Sequence, residues 1–337
     1  MNKLSFTLMN FINKRFSINK RESFCNLNAI AIPPSCRRKK IDKARVKREI
    51  RGKELADFYR VLTNKLKYYD FSYMHENIRS LKIQRMHLKS PKLIKRKVAA
   101  YYNCRKNIIK YTPKMKDIVL PHELLHMAST TKKSDNKSIF SGFSQSTNLS
   151  NYELIACGLN EGYTQLLAER YFNIVYKVYP IEKLIARKLE EIIGKEEMEK
   201  MYFSADLKSL VNIMSEYLDG KSIIMFLYCI DFLGVLYSKS NLEKNFPLFK
   251  KAYYNIAESL INIKTAQLIR EDISMREKQE KLIKFARELR YEIVNSEEFE
   301  KYTLISNEAI DEIIKKNINK LNNEYLMNKI SNKTYLK

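Results

Sequence analysis

Residues 119–126 read Val-Leu-Pro-His-Glu-Leu-Leu-His, and the spacing of the two histidines decides what this part of the chain can be. A helix brings positions i and i+4 to one face, so His122 and His126 would point the same way. Two imidazoles in this arrangement can hold one Zn²⁺ at about 2.0–2.1 Å. The two leucines between them point elsewhere and can bury the helix in a core. The pattern predicts a zinc-binding helix over about residues 118–129.

Glu123 lies one residue beyond the first histidine, on an adjacent part of the helix surface. From there a carboxylate reaches a metal-bound water without ligating the metal, which is the general-base position of a zinc peptidase. The chain has 4 histidines, and random placement would produce this pattern in roughly three chains per thousand. A chance match is therefore the weaker interpretation.

A catalytic zinc also needs a third protein ligand and an open position. No histidine follows His126, so a carboxylate must serve unless His75 or His87 folds back onto the metal. The metzincin class is excluded, because its extended motif requires Gly and His where this chain has Ser129 and Lys132.

A second motif, Gly-Leu-Asn-Glu-Gly-Tyr-Thr-Gln, occupies residues 158–165. Together with the histidine motif it resembles the gluzincin metallopeptidases, whose second helix begins with an Asn-Glu-Gly or Asn-Glu-Ala element. The resemblance covers about residues 98–178 and implies that Glu161 is the third zinc ligand. Glu153 is a rival for that position.

Glu161 also admits an ordinary interpretation, as a first-turn acid stabilised by the helix dipole with Asn160 as its cap. Its distance of 35 residues from His126 is longer than in the thermolysin and aminopeptidase branches, and is like that of the clostridial neurotoxin light chains. Thermolysin-like members place an Asp four residues after the ligand Glu, where it orients a ligand histidine. This chain has Gln165, whose amide accepts such a bond more weakly, and Glu169 is a candidate substitute.

A strand pair precedes the histidine motif. Residues 98–102 and 108–111 are rich in β-branched and aromatic side chains, and residues 103–107 suit a hairpin loop. In the family that this chain resembles, an edge strand here pairs with an extended substrate, and either strand could be that edge. Peptide hydrolysis also needs a donor for the oxyanion. The sequence candidates for that donor are Tyr163, Tyr253 and Tyr254.

The composition favours long helices and concentrates positive charge at one end. Gly and Pro number only 7 each in 337 residues, which argues against hairpin-rich all-β folds. The net charge is +24, and residues 1–100 contribute +19 of it, with 26 basic and 7 acidic side chains. A solvated tail is the first interpretation of this region, and weak contact with nucleic acid or an anionic surface is the alternative. The 5 cysteines are widely spaced, which argues against a disulfide framework.

The chain carries no clear targeting or membrane-spanning segment. Asn10 and Asn13 interrupt the apolar run near the N-terminus, and no small-residue cleavage site follows. Residues 222–237 are the most apolar stretch, but they are too short to span a bilayer and contain Asp231, so they predict a buried core helix. A cytoplasmic location is expected, with non-standard export left open.

The expected fold is mainly α (α+β). A zincin-like core with a small β-hairpin or sheet and two zinc-binding helices would be followed by a helical C-terminal domain. The predicted regions are a basic N-terminal region at 1–97, the core at 98–178 and the helical domain at 179–337. Beyond residue 160 the periodicity predicts helices at 160–178, 181–193, 205–219, 222–238, 246–263, 266–296 and 307–328.

The expected function is that of a zinc metallopeptidase, a hydrolase acting on peptide bonds of a peptide or protein substrate. One Zn²⁺ would be held by His122, His126 and Glu161, and Glu123 would act as general base on a zinc-bound water. One alternative is a basic regulatory protein in which a structural zinc holds the fold together without turnover. Another is a nucleic-acid-binding protein driven by residues 1–100.

Overall fold

A computed structural model gives the fold of most of the chain. The described residues are 30–34, 50, 52–66, 69–86, 99–132, 138–146, 154–174, 178–237, 242–295 and 304–334.

α-Helices dominate the described chain, and the C-terminal part is entirely helical, as the sequence predicts. The helices are α1 (Lys53–Lys65), α2 (Ser72–Ser80), α3 (Lys116–Ala128), α4 (Cys157–Phe172), α5 (Pro180–Ile193), α6 (Lys195–Phe203), α7 (Leu207–Ser215), α8 (Gly220–Tyr237), α9 (Leu242–Arg270), α10 (Met275–Val294) and α11 (Asn307–Thr334).

Two small sheets lie between the first helices. Their strands are β1 (Lys82–Arg85), β2 (Ala100–Asn103), β3 (Ile108–Tyr111), β4 (Thr130–Lys132), β5 (Ile139–Ser141), β6 (Ser144–Ser146) and β7 (Leu154–Ile155). The first sheet has the order β1-β3-β2, with β1 parallel and β2 antiparallel to β3. The second is antiparallel in the order β4-β5-β6-β7. The predicted hairpin before the histidine motif is therefore confirmed.

Some element bounds differ from those predicted. The polar stretch at 130–151, expected to loop out apart from a possible short strand at 139–143, forms much of the second sheet, and β5 lies within that expected strand. The basic stretch at 71–97 contains α2 and β1, and α6 was not predicted. The break expected near residue 264 falls instead at 271–274, because the side chain of Ser274 accepts the N–H of Glu277 at 3.2 Å and starts α10 there.

One hydrophobic core joins the three regions that the sequence distinguishes. Leu55 of α1, Leu124 of α3 and Leu289 of α10 belong to the same cluster of buried side chains. Helix α4 lies within it and packs against α3, α5 and α8. Because a helix buried on nearly all sides has no polar face, the apolar residues of α4 show no amphipathic stripe. The domain boundaries themselves stay a prediction.

A buried ionic network fixes α4 to its neighbours. Arg170 of α4 donates to Glu190 of α5 at 3.0 Å and to Glu199 of α6 at 2.9 Å. The Tyr163 hydroxyl donates to Glu190 at 2.6 Å, and Tyr171 donates to Glu199. Buried carboxylates are stable only when paired and hydrogen-bonded. The network therefore restricts how α4 can move relative to α5 and α6.

The apolar stretch at 222–237 lies within α8, whose Phe226, Cys229 and Phe232 are fully buried, so the predicted core helix is confirmed. Within the part of the chain that the structure describes, none of the helices has both the length and the apolar character needed to cross a bilayer.

Candidate metal centre

Helices α3 and α4 bring the three predicted ligands together. The Nε2 atoms of His122 and His126 lie 3.1 Å apart. The Glu161 Oε2 atom lies 3.1 Å from Nε2 of His122 and 3.3 Å from Nε2 of His126. Both histidines are buried, and Glu161 is partly buried. These three side chains form a group that could hold a metal ion.

The spacing of the three atoms fits a small cation. Ligands at about 2.0–2.1 Å from a tetrahedral zinc lie about 3.3–3.4 Å from one another, close to the three distances found here. The Glu161 carboxylate offers only lone pairs when ionised, so a hydrogen bond within the triangle requires a proton on Nε2 of a histidine, and a metal would take the place of that proton. Burial alone would raise the pKa of Glu161, but the adjacent His126 and His122 outweigh it and hold that pKa well below its usual range.

Gln165 orients the first histidine. Its Oε1 atom lies 3.2 Å from Nδ1 of His122, and its Nε2 atom donates to Glu169 at 3.2 Å. Because Oε1 can only accept, the proton of His122 sits on Nδ1 and the lone pair of Nε2 faces the triangle. Lys183 donates to Glu169 at 2.7 Å and completes the chain of contacts. Glu169, the candidate substitute, thus supports Gln165 and does not replace it.

Asn160 lies beside the second histidine. Its Nδ2 atom is 3.3 Å from Nδ1 of His126, and its Oδ1 accepts the backbone N–H of Phe143 at 3.0 Å. A metal on Nε2 of His126 would require the proton on Nδ1 and the amide oxygen of Asn160 turned toward it. Asn160 is not a helix cap, and Glu161 is not in the first turn, because α4 begins at Cys157. The interpretation of Glu161 as a first-turn acid is therefore wrong.

Glu123 lies next to the triangle but outside it. Its carboxyl is buried and accepts the backbone N–H of Tyr102 in β2. Burial raises the pKa of Glu123 to about 7, with the charge of His122 opposing and that of Glu161 adding to the shift. A carboxyl with a pKa near neutrality can both accept and return a proton at physiological pH.

Strand β2 lies beside this carboxyl and, among the described strands, pairs only with β3. The N–H of Thr112 donates to the Ala99 carbonyl at 2.8 Å across the β2–β3 pair. Because bonding alternates along an antiparallel strand, the backbone groups of Ala100 and Tyr102 face away from β3. The contact between Tyr102 and Glu123 agrees with this direction. Of the two candidate edges, β2 is the outer strand and β3 is the central one.

Tyr179 is a residue of the site that the sequence did not single out. Its ring lies 6.0 Å from that of His122, at an interplanar angle of 21°, and its hydroxyl donates to Glu161. The negative charge of Glu161, burial and the charge of Glu123 raise the pKa of Tyr179 well above its usual value. The residue is 37% exposed, which places it at the mouth of the site. The only sequence signal for it was its place just before Pro180 and a predicted helix.

The tyrosines that the sequence offered as oxyanion donors do not face this site. Tyr163 is fully buried and its hydroxyl is bonded to Glu190. Tyr253 is fully buried in the core, and Tyr254 lines a groove with Lys250 and Leu304. The prediction that one of these three tyrosines is the oxyanion donor is therefore wrong.

The sequence also offered His75, His87 and Glu153 as possible metal ligands. His75 is buried and lies 3.2 Å from the hydroxyl of Tyr59, and it is not among the residues that converge on the triangle. His87 and Glu153 lie outside the described residues.

Comparison with protein-family models, curated proteins and solved structures finds no match to this chain in any of the three.

Proposed function

We propose that the protein is a zinc-dependent metallopeptidase. The observation that carries the proposal is the convergence of two imidazole nitrogens and one carboxylate oxygen on a triangle, with a separate buried carboxyl beside it. Two histidines and one carboxylate form the usual ligand set of a catalytic zinc that keeps a fourth position open. The resemblance of residues 98–178 to the gluzincins supports the same assignment.

Each group has a distinct part in peptide hydrolysis. A metal held by His122, His126 and Glu161 would polarise the scissile carbonyl and lower the pKa of a water molecule. Glu123 takes a proton from the attacking water and returns it to the nitrogen of the leaving amine. The position of Glu123 outside the ligand triangle leaves its carboxyl free for this transfer.

The outer edge of β2 supports an extended peptide as the substrate. The outward N–H and carbonyl of Ala100 and the carbonyl of Tyr102 could pair with a peptide strand, and such pairing requires no particular side-chain sequence. Because Tyr102 also donates to Glu123, a peptide on this edge would lie next to the general base.

The alternative is a zinc that only stabilises the fold. A structural zinc is normally enclosed by four protein ligands. In the part of the chain that the structure describes, only three side chains converge on the triangle, which favours the peptidase. A nucleic-acid-binding function would rest largely on basic residues outside the described ranges.

The test combines metal content with turnover. Purified protein should hold about one zinc per chain, His126→Ala should lose it, and Glu161→Gln should bind it at least about tenfold more weakly. Glu123→Gln should keep the zinc, yet hydrolyse a peptide selected from a library at least about a hundredfold more slowly, because an amide cannot accept the proton. Glu196→Gln is the matched control, because Glu196 is an exposed side chain of α6.

Two outcomes would contradict the proposal. Parental turnover in Glu123→Gln would exclude this carboxyl as the base. Loss of zinc in the same variant would make Glu123 a ligand or a structural support and favour the structural zinc.

A further inference from the structure

We infer that Tyr179 is a catalytic residue, whose hydroxyl donates a hydrogen bond to the oxyanion formed when water adds to the scissile carbonyl. This inference rests on the proposed function and assigns the oxyanion donor, which the steps above do not include. Tyr179 takes the role for which the sequence suggested Tyr163, Tyr253 or Tyr254.

The position of Tyr179 suits an oxyanion donor. Among the tyrosines that the structure describes, Tyr179 has its ring against a proposed ligand, 6.0 Å from that of His122, and its hydroxyl already donates to Glu161. Its interaction with the charge of Glu123 places the same side chain close to the proposed base as well. A hydroxyl that is held between the ligands and the base lies where the carbonyl of a bound peptide has to enter.

The backbone conformation of Tyr179 supports the same role. Tyr179 has φ 54° and ψ 44°, the left-handed conformation that bulky residues rarely adopt. It precedes Pro180, and its carbonyl accepts the N–H of Lys183 at 2.8 Å, so that it forms the N-cap of α5. Unfavourable backbone conformations persist where the surrounding structure enforces them, and they cluster at functional sites. The packing of α5 on α4 thereby directs this ring toward His122.

The chemistry of the reaction supports the role as well. The water oxygen forms a bond to the carbonyl carbon, its proton passes to Glu123, and the π electrons move onto the carbonyl oxygen. That oxygen carries more negative charge than it did in the substrate, so a donor at this place acts mainly on the transition state. On collapse the C–N bond breaks, and the amine nitrogen takes the proton from Glu123. Tyr179 changes its hydrogen-bond acceptor from Glu161 to the oxyanion and keeps its own proton.

The experiment compares Tyr179→Phe with the parent and with Tyr69→Phe. Tyr69 is a matched control, because its hydroxyl also donates to a carboxylate, that of Glu199 at 3.1 Å, away from the metal triangle. In Tyr179→Phe, kcat should fall about a hundredfold while KM changes less than about twofold, as for loss of one oxyanion donor. Tyr69→Phe should keep the parental values.

Two binding measurements separate this role from a structural one. Calorimetry with phosphoryl-Leu-Phe, whose tetrahedral phosphoryl group resembles the oxyanion, should show at least about tenfold weaker binding to Tyr179→Phe. Zinc affinity, measured by competition with a chelator, should stay within about threefold of the parent, because the three ligands are unchanged. Tyr179→His keeps a ring N–H donor and tolerates left-handed backbone, so it should retain more turnover than Tyr179→Phe.

Parental kcat in a folded Tyr179→Phe, or lower turnover in the His variant than in the Phe variant, would overturn the inference. Loss of zinc from Tyr179→Phe would overturn it too, since the residue would then support the metal. A parent protein that neither cleaves the library nor binds the phosphoryl dipeptide would contradict the proposed function itself.

Discussion

The protonation of single side chains decides whether the triangle can accept a metal. The Nε2 lone pair of His122 faces the triangle because the Oε1 atom of Gln165, held in place by Glu169, accepts a hydrogen bond from the proton on Nδ1. A carboxylate at position 165 would accept the same bond more strongly. The Gln165 amide therefore orients His122 through a weaker hydrogen bond than a carboxylate would accept. The salt bridge between Lys183 and Glu169 holds Glu169 in place, and Glu169 in turn holds the amide in its direction.

Removal of this oxygen should weaken zinc binding. Gln165→Leu keeps a side chain of similar size but has no acceptor for Nδ1 of His122, so zinc affinity should fall by about tenfold or more. Competition with a chelator measures the affinity. Gln267→Leu, which also loses one accepted hydrogen bond, that from Lys264, is the control. Equal affinity in the parent and Gln165→Leu would show that the orientation of His122 does not depend on Gln165.

At the scale of the element, α4 is placed by contacts that side-chain bulk would prevent. A Cβ on Gly162 would lie 2.2 Å from the backbone of Glu182 in α5, and a Cβ on Gly158 would lie 2.8 Å from Ile230 in α8. Asp231 of α8 accepts the N–H groups of Ala156 and Gly158 at 2.8 and 2.7 Å. Burial outweighs these bonds and raises the pKa of Asp231 to about 7. The glycine of the Asn-Glu-Gly element is thus required by the close approach of α5.

A methyl group at position 162 should push α5 away from α4. Gly162→Ala should lower the free energy of unfolding by about 1–3 kcal/mol or more, the usual effect of overpacking. Urea unfolding gives this value. Gly194→Ala measures the backbone cost alone, since a Cβ there meets nothing within 4 Å while its φ of 105° carries a strain of about 1–3 kcal/mol. A smaller loss at 162 than at 194 would contradict the packing argument.

At the scale of the whole molecule, the described core begins before the first helix. Ile30 is 5% exposed and belongs to the main cluster, and the carbonyl of Pro34 accepts the Tyr73 hydroxyl at 2.8 Å. The sequence pattern favours a solvated basic tail for these residues. Their contacts show that residues 30–34 belong to the folded part.

Truncation on either side of residues 30–34 should have different effects. Removal of residues 1–29 should leave zinc binding unchanged and the melting temperature close to that of the parent. Removal of residues 1–34 also deletes Ile30, whose burial is worth about 1.5–3 kcal/mol, and should lower the melting temperature by several degrees. Thermal unfolding of both proteins checks this. Identical melting temperatures would show that Ile30 contributes little to the core.

Local sequence patterns predicted the helical character, the strand pair before the histidine motif and three of the residues at the site. Few Gly and Pro, apolar periodicity and the spacing of His122 and His126 are local properties, and local patterns suffice for them. Glu161 followed from the resemblance of its neighbours to a known family. Of the second sheet, the sequence indicated only the strand at 139–143, because the other short strands are mostly polar and periodicity detects mainly apolar faces.

The outer position of β2, the orientation of His122 by Gln165 and the place of Tyr179 at the site became evident from the three-dimensional packing. Each of these depends on contacts between elements distant along the chain. Tyr179 is 57 residues from His122 in sequence but stacks on it, because α5 packs closely on α4 at Gly162. With 22 tyrosines in the chain, residue type and spacing could not select it, since the selection is made by packing in three dimensions.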